Sequence, residues 1–288
     1  MAEHTDFKTR QTEEGREITG SLTIGRIPLV VCAPFFYRSD PMPDMTFVNG
    51  TLDELSQAIQ AREIDCAPLS SIEYARNYRD YAIVPGLSIV GQSKVKTALF
   101  LSQVPWEQIS GKNILLSSVA ATSNILFQLL CRRKYQVDPV FNAPEEPMGR
   151  IAIGDDAIIM AYKSTWRYCY DLSEEWYKWQ TLPFAFGLWI VRKTVADLKK
   201  GAVEEFVRYL ERSQESFLQN HKKALKEWLK TYPSNLPEQL MSSFFEHVDY
   251  TLTPLHEKSL LLFFKMASDM GYANPCTSLD FVNIENQV

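Results

Sequence analysis

Two short stretches place pairs of hydroxyls where an apolar run gives way to a helical pattern. In the first, "CAPL" leads into Ser70-Ser71-Ile72-Glu73. In the second, "NILL" leads into Ser117-Ser118 and then Thr122-Ser123. Hydroxyls beside the free backbone N–H groups of a helix start form an anion site suited to a carboxylate. The same residues also serve as ordinary helix caps: Ser70 with Glu73 fits a capping box, and Thr122 or Ser123 suits an N-cap. Both readings stand, and they are compatible at adjacent hydroxyls. A third junction, "RIAIGDDAIIM", puts Gly154 at a turn and Asp155 at the end of a strand. An Asp there is a candidate general base or a partner for a hydroxyl, and equally a helix N-cap. A fourth, "IGRIPLVVCAPFF", ends near Val31 and Cys32, where the thiol reads either as reactive or as a small buried core residue.

The elements that would position these groups alternate. "SLTIGRIPLVV", "MTFVNG", "DCAPL", "YAIVPG", "LSIVG" and "VKTALFLSQ" read as strands, and "TLDELSQAIQAR" reads as an amphipathic helix capped by Thr51 and Glu54. A second unit follows, with strands in "KNILLSS", "DPVFN" and "GRIAIGD" and helices in "ATSNILFQLLCRRKY" and, from Ser173 as N-cap, "SEEWYKW". "LPFAFGLWIVRK" is a long apolar strand, after which the pattern is mostly helical. The last helix is bracketed by Thr253, Pro254 at its first position and Gly271. Strands alternating with helices predict an α/β fold with mixed, mostly parallel sheets and a helical C-terminal region. Residues 1–19 read as a loose tail, 20–100 plus 190–288 as one lobe and 101–189 as a second, with a ligand cleft between them. Ligands of such sheets bind beyond the carboxyl ends of strands, where the hydroxyl junctions fall.

Bulk composition narrows the classes. The chain has 288 residues and a formal net charge of −5, which argues against a nucleic-acid partner. Its N-terminus lacks the apolar core of a signal peptide, and its apolar runs are too short to span a bilayer. Five cysteines without CxxC spacing imply reduced thiols in a cytoplasmic protein, and four scattered histidines form no metal pattern.

Six blocks in order resemble one family: "DCAPLSSIEYARNYRDYAIVPGLSI", "VKTALFLSQVP", "TSNILFQLL", "IAIGDDAI", "DLSEEWYKWQTLPFAFGLWIVRK" and "YTLTPLHEKSLLLFFKMASDMGY". They are similar to the chorismate dehydratase of the futalosine route to menaquinone, from about Leu22 to about Tyr272. The related dihydroxynaphthoate synthase is less similar, because its usual catalytic His has no counterpart near "IGDDA". The resemblance implies a two-lobed fold like type II periplasmic binding proteins, used as a cytoplasmic enzyme. It implies a lyase converting chorismate, a small dicarboxylate, to 3-[(1-carboxyvinyl)oxy]benzoate, with no metal or cofactor. It places the ligand near Ser70, Ser71, Thr97, Thr122, Ser123 and Asp155. One carboxylate would lie at Thr122-Ser123 and the other near Ser70-Ser71. Thr97 would steady the leaving hydroxyl or a carboxylate, and proton handling would fall to Asp155 or to a substrate carboxylate. The chain departs from the family at Val31, where it has a polar Asn, at Thr97, where it has Ser, and at Gln180-Thr181, where "TGLP" has Thr-Gly. These departures keep open an alternative, a non-catalytic or altered-specificity cytoplasmic binder of a small cyclic carboxylate.

Overall fold

The structure is a computed structural model that describes residues 20–37, 44–163, 165–237 and 247–284, together with 10, 11, 17, 18, 240 and 245. Most of the tail expected over 1–19 lies outside the described residues. Within it, β1 (Arg10–Gln11) pairs antiparallel with β2 (Glu17–Ile18).

Two mixed sheets carry the two lobes. The six-stranded sheet contains β3 (Leu22–Arg26), β4 (Met45–Asn49), β5 (Cys66–Ser70), β6 (Tyr81–Gly91), β12 (Phe184–Arg192) and β13 (Asp249–Thr251), in the order β13-β6-β12-β5-β3-β4. The five-stranded sheet contains β7 (Ala98–Ser102), β8 (Asn113–Leu115), β9 (Val140–Phe141), β10 (Gly149–Ile153) and β11 (Tyr168–Asp171), in the order β11-β7-β10-β8-β9. Parallel pairing fills one half of each sheet, β5-β3-β4 and β10-β8-β9. The other halves are antiparallel: in the six-stranded sheet the chain leaves along β6, returns along β12 and pairs the two, and in the five-stranded sheet β7 pairs with β10 and β11.

The sheets move the lobe boundaries from those read in the sequence. β7 begins at Ala98 inside the five-stranded sheet, and all of β12 belongs to the six-stranded one. An apolar strand looks alike to sequence whichever sheet takes it. The crossings are therefore residues 92–97 and 172–183.

Helix limits follow local chemistry. α2 (Leu52–Gln60) starts with the expected box: the Glu54 N–H donates to Thr51 Oγ1, and the Thr51 N–H to the Glu54 carboxylate at 2.7 Å. The run after "GRI" does not continue as a strand. Pro28 removes a ladder donor and restricts Ile27, and Val30–Cys32 forms a 3₁₀ turn into α1 (Ala33–Phe36). α7 (Lys193–Leu198) leads into α8 (Lys200–Gln219), which is separated from α9 (His221–Thr231) at Asn220, whose side chain caps α9. The last helix, α10 (Pro254–Asp269), is capped by Thr253 as read, with His256 as the reciprocal partner.

α6 (Leu172–Gln180) corrects one expectation. Its N-cap is Asp171, not Ser173. Asp171 Oδ1 accepts the Ser173 and Glu174 N–H groups, while Oδ2 accepts those of Val95 and Lys96 at 2.9 and 2.7 Å. One buried carboxylate thus fastens both crossings. Gly91 lets them approach, since a Cβ there would stand 2.5 Å from Ser173 Oγ.

α6 ends on Thr181 in the left-handed region, at φ +57°, with its N–H on the Tyr177 carbonyl at 2.8 Å. A β-branched residue is strained there and glycine is not. Thr181→Gly should raise the unfolding free energy by about 0.5–1 kcal/mol, after discounting glycine's extra chain entropy. Urea denaturation reads this directly, and an unchanged midpoint would mean the turn holds no strain.

Candidate functional site

A cleft of about 80 Å³ lies between the lobes, lined by Ser70, Thr97, Thr122, Ser123 and Val31 among others. Five of the seven residues read from sequence thus meet in one place. Ser71 and Asp155 do not line it.

The two junctions turn out unequal. α3 (Ser71–Asn77) is short, and the Ser70–Glu73 capping box does not form. Glu73 is occupied elsewhere, accepting from Gln60 Nε2 and Asn77 Nδ2, both at 2.6 Å. The first turn of α3 is satisfied from the other lobe: the Ile72 N–H donates to Thr122 Oγ1 at 3.1 Å, and Ser71 Oγ lies 3.3 Å from the same oxygen. Ser71, fully buried, therefore stands behind the wall as part of a cross-lobe contact.

α4 (Ala121–Leu129) is different. Its N-cap is Ala120, so Thr122 and Ser123 lie inside the first turn and neither caps it. The first intrahelical bond is from the Asn124 N–H to the Ala120 carbonyl, at 3.0 Å. The N–H groups of Ala121, Thr122 and Ser123 have no partner among the described residues, and neither have the side-chain hydroxyls of Ser123 and Thr97. Ser123 is 3% exposed and Thr97 7%, and both line the cleft. A helix start with free donors and two buried hydroxyls has the chemistry an anion subsite needs. Ser117 and Ser118 take no part. Ser117 Oγ accepts the Val119 N–H, and Ser118 is exposed.

Asp155 is the second residue of α5 (Gly154–Lys163), not its cap. Gly154, at φ +60°, lines the cleft and gives its N–H to the Thr97 carbonyl at 2.8 Å. The Asp155 carboxylate turns away: Oδ2 accepts from the Ser234 hydroxyl, and Oδ1 is buried with no partner. Burial pushes its pKa above the ordinary carboxylate value, the Asp156 charge adds to this, and the Ser234 bond opposes it. Cys32 lines the cleft, but burial, helped by the Asp155 charge, pushes its thiol up to about 12, so it stays protonated at neutral pH.

The rest of the lining is apolar. Leu29 and Val31 form one wall, Ile89 and Phe186 another, and Ile153 faces them from β10. The Val31 carbonyl is fixed by the buried Tyr250 hydroxyl at 2.9 Å. Sequence reading did not single out Leu29, Ile89, Ile153 or Phe186. Their only available signal was position near the ends of strands facing the crossings.

Two α/β lobes joined by paired crossings, with an apolar cleft and one helix start aimed into it, define the fold of type II periplasmic binding proteins. Solved structures agree. Protein AF1704 from Archaeoglobus fulgidus is 20% identical with a TM-score of 0.72, covering 87% of this chain and 98% of its own. The alkanesulfonate-binding protein SsuA from Xanthomonas axonopodis pv. citri, bound to MOPS, is 13% identical with a TM-score of 0.68, covering 90% and 96%. The aliphatic sulphonate binding protein SsuA from Escherichia coli is 12% identical with a TM-score of 0.64, covering 88% and 94%. By its sequence pattern over residues 22–269, this chain belongs to the menaquinone biosynthesis family.

Two outcomes test the site. Ser123→Ala should weaken a carboxylate ligand about ten- to a hundredfold by titration calorimetry, in proportion to one lost hydrogen bond to a charged group; unchanged binding would leave Ser123 a packing residue. Asp155→Asn should raise the melting temperature above the usual carboxylate pH range, and the gain should vanish in acid. The sign follows from the raised folded pKa: stability falls as pH rises from the unfolded to the folded pKa, and the substitution removes that loss.

Proposed function

We propose that this chain dehydrates chorismate to 3-[(1-carboxyvinyl)oxy]benzoate. The observation that carries the reading is the free α4 start, with Ser123 and Thr97, inside the interlobe cleft of a menaquinone biosynthesis family member. One carboxylate of the substrate sits there, held by backbone N–H groups and two hydroxyls.

The reaction removes a ring proton beside the ether and the neighbouring hydroxyl. The electron pair of the broken C–H bond becomes the third ring double bond, and the hydroxyl departs as water. Aromatisation supplies the driving force, so the protein's work is position and charge control. Among the described residues no carboxylate, imidazole or amine lines the cleft, and the Cys32 thiol holds its proton. Asp155 faces Ser234 in place of the ligand. The base is then the substrate's second carboxylate. It finds no cation in an apolar cleft, and poor solvation makes a carboxylate a better proton acceptor. That carboxylic acid can in turn protonate the leaving hydroxyl. This differs from a second anion site at Ser70-Ser71, where Thr122 already occupies the start of α3.

The cleft volume bears on access. A cavity of about 150 Å³ accommodates benzene. At about 80 Å³ the space here is smaller, so a ring carboxylate enters with some widening of the cleft.

The second reading, a binder of a small cyclic carboxylate, is favoured by Val31 and its aliphatic neighbours, which offer the ligand no amide. Purified protein incubated with chorismate decides between the two. The expected result is 3-[(1-carboxyvinyl)oxy]benzoate by mass spectrometry, at a rate little changed in Asp155→Asn. Binding without product at high protein concentration would reject the dehydratase in favour of the binder.

A further inference from the structure

β12 carries a bulge at the cleft. Ala185 faces Val90 of β6 and Gly187 faces Ile89, which leaves Phe186 without an opposite residue. Bulges bend a strand and re-aim a side chain. Here the bulged residue lines the cleft, the one aromatic ring among its described lining residues. Its orientation is fixed from behind. Phe184 lies 4.7 Å away at 63°, and is itself wedged between Trp176 at 5.3 Å and Phe263 at 5.0 Å. A ring held this way loses little freedom on meeting a ligand.

We propose that Phe186 is a specificity-determining residue that packs against a flat ring, so that the cleft selects aromatic or near-planar ring carboxylates over puckered ones of the same charge. The inference deepens the reading of the cleft given above and rests on it. A planar π-system meets a fixed aromatic ring with a favourable quadrupole geometry that a saturated ring lacks, worth about two- to tenfold in affinity. In the dehydration, the substrate ring flattens as it becomes aromatic. The contact then strengthens along the reaction coordinate and acts on kcat more than on KM.

Benzoate and cyclohexanecarboxylate carry the same charge on rings of the same atom count, and differ in planarity. Titrated into the whole protein and followed by NMR, benzoate should bind about two- to tenfold tighter. Phe186→Leu should erase the difference by weakening benzoate alone, and Phe186→Tyr, which keeps the ring, should preserve it. Equal weakening of both probes in Phe186→Leu, no weakening of either, or binding of neither probe to the wild type would overturn the proposal. Binding needs no turnover, so the two readings are separable. Discrimination intact with chorismate unreacted would reject the dehydratase alone. Turnover with equal weakening would reject the role of Phe186 alone.

Discussion

The first N–H groups of a helix need acceptors, and α3 finds one in the opposite lobe. Thr122 Oγ1, on α4, accepts the Ile72 N–H at 3.1 Å in a buried setting. Such a bond contributes roughly 0.5–1.5 kcal/mol net, but leaving the buried donor unmade costs about 1–3 kcal/mol. The interaction exists only when the two sheets stand at this separation. It therefore fixes the distance across the cleft and brings the start of α4, with Ser123, up against the six-stranded lobe. A local cap on α3 from Ser70 would have removed that dependence. Ser70 is left free to line the cleft instead.

The opposite edge is held more firmly. Asp171 takes four backbone N–H groups, two from each crossing, and burial works against its charge. The C-terminal region adds ties: Ser259 of α10 accepts from Trp176 Nε1 of the second crossing at 3.0 Å, and beyond α10 the Tyr272 hydroxyl donates to Gln128 of the five-stranded lobe at 2.7 Å. Away from the crossings the lobes also meet at Thr122 with Ser71 and Ile72, and at Asp155 with Ser234.

Charge is distributed unusually for a site proposed to bind an anion. Arg192 and Lys199 are spent on Asp65, at 2.5 and 2.8 Å, and Lys134 on Glu175 at 2.6 Å, all in the framework. Among the described residues no lysine or arginine lines the cleft. Attraction must come from backbone dipoles and hydroxyls, which are rigid and impose no titration of their own near neutral pH. The consequence is a site whose chemistry depends on the charges its ligand brings, bounded by aliphatic walls that keep those charges poorly solvated.

The sequence by itself determined what short-range chemistry decides. Thr51 with Glu54, and Thr253 with Pro254, bracketed their helices because a cap involves residues three apart. The alternation of apolar runs gave the α/β class, and five of the residues named from junctions and resemblance do face one cleft. Tertiary structure decided which polar group remains free. Ser71 and Thr122 are equally polar in sequence, yet one is buried against the other because α3 and α4 meet across the lobes. Asp155 looked poised, but the distant Ser234 claims it. Ser173 looked like a cap, but Asp171 was better placed by the turn of β11. Phe186 was invisible, since a bulge arises from a register shift between β6 and β12, strands about a hundred residues apart. A hydrogen bond to a remote partner leaves no periodic trace in the chain, so only the folded arrangement assigns it.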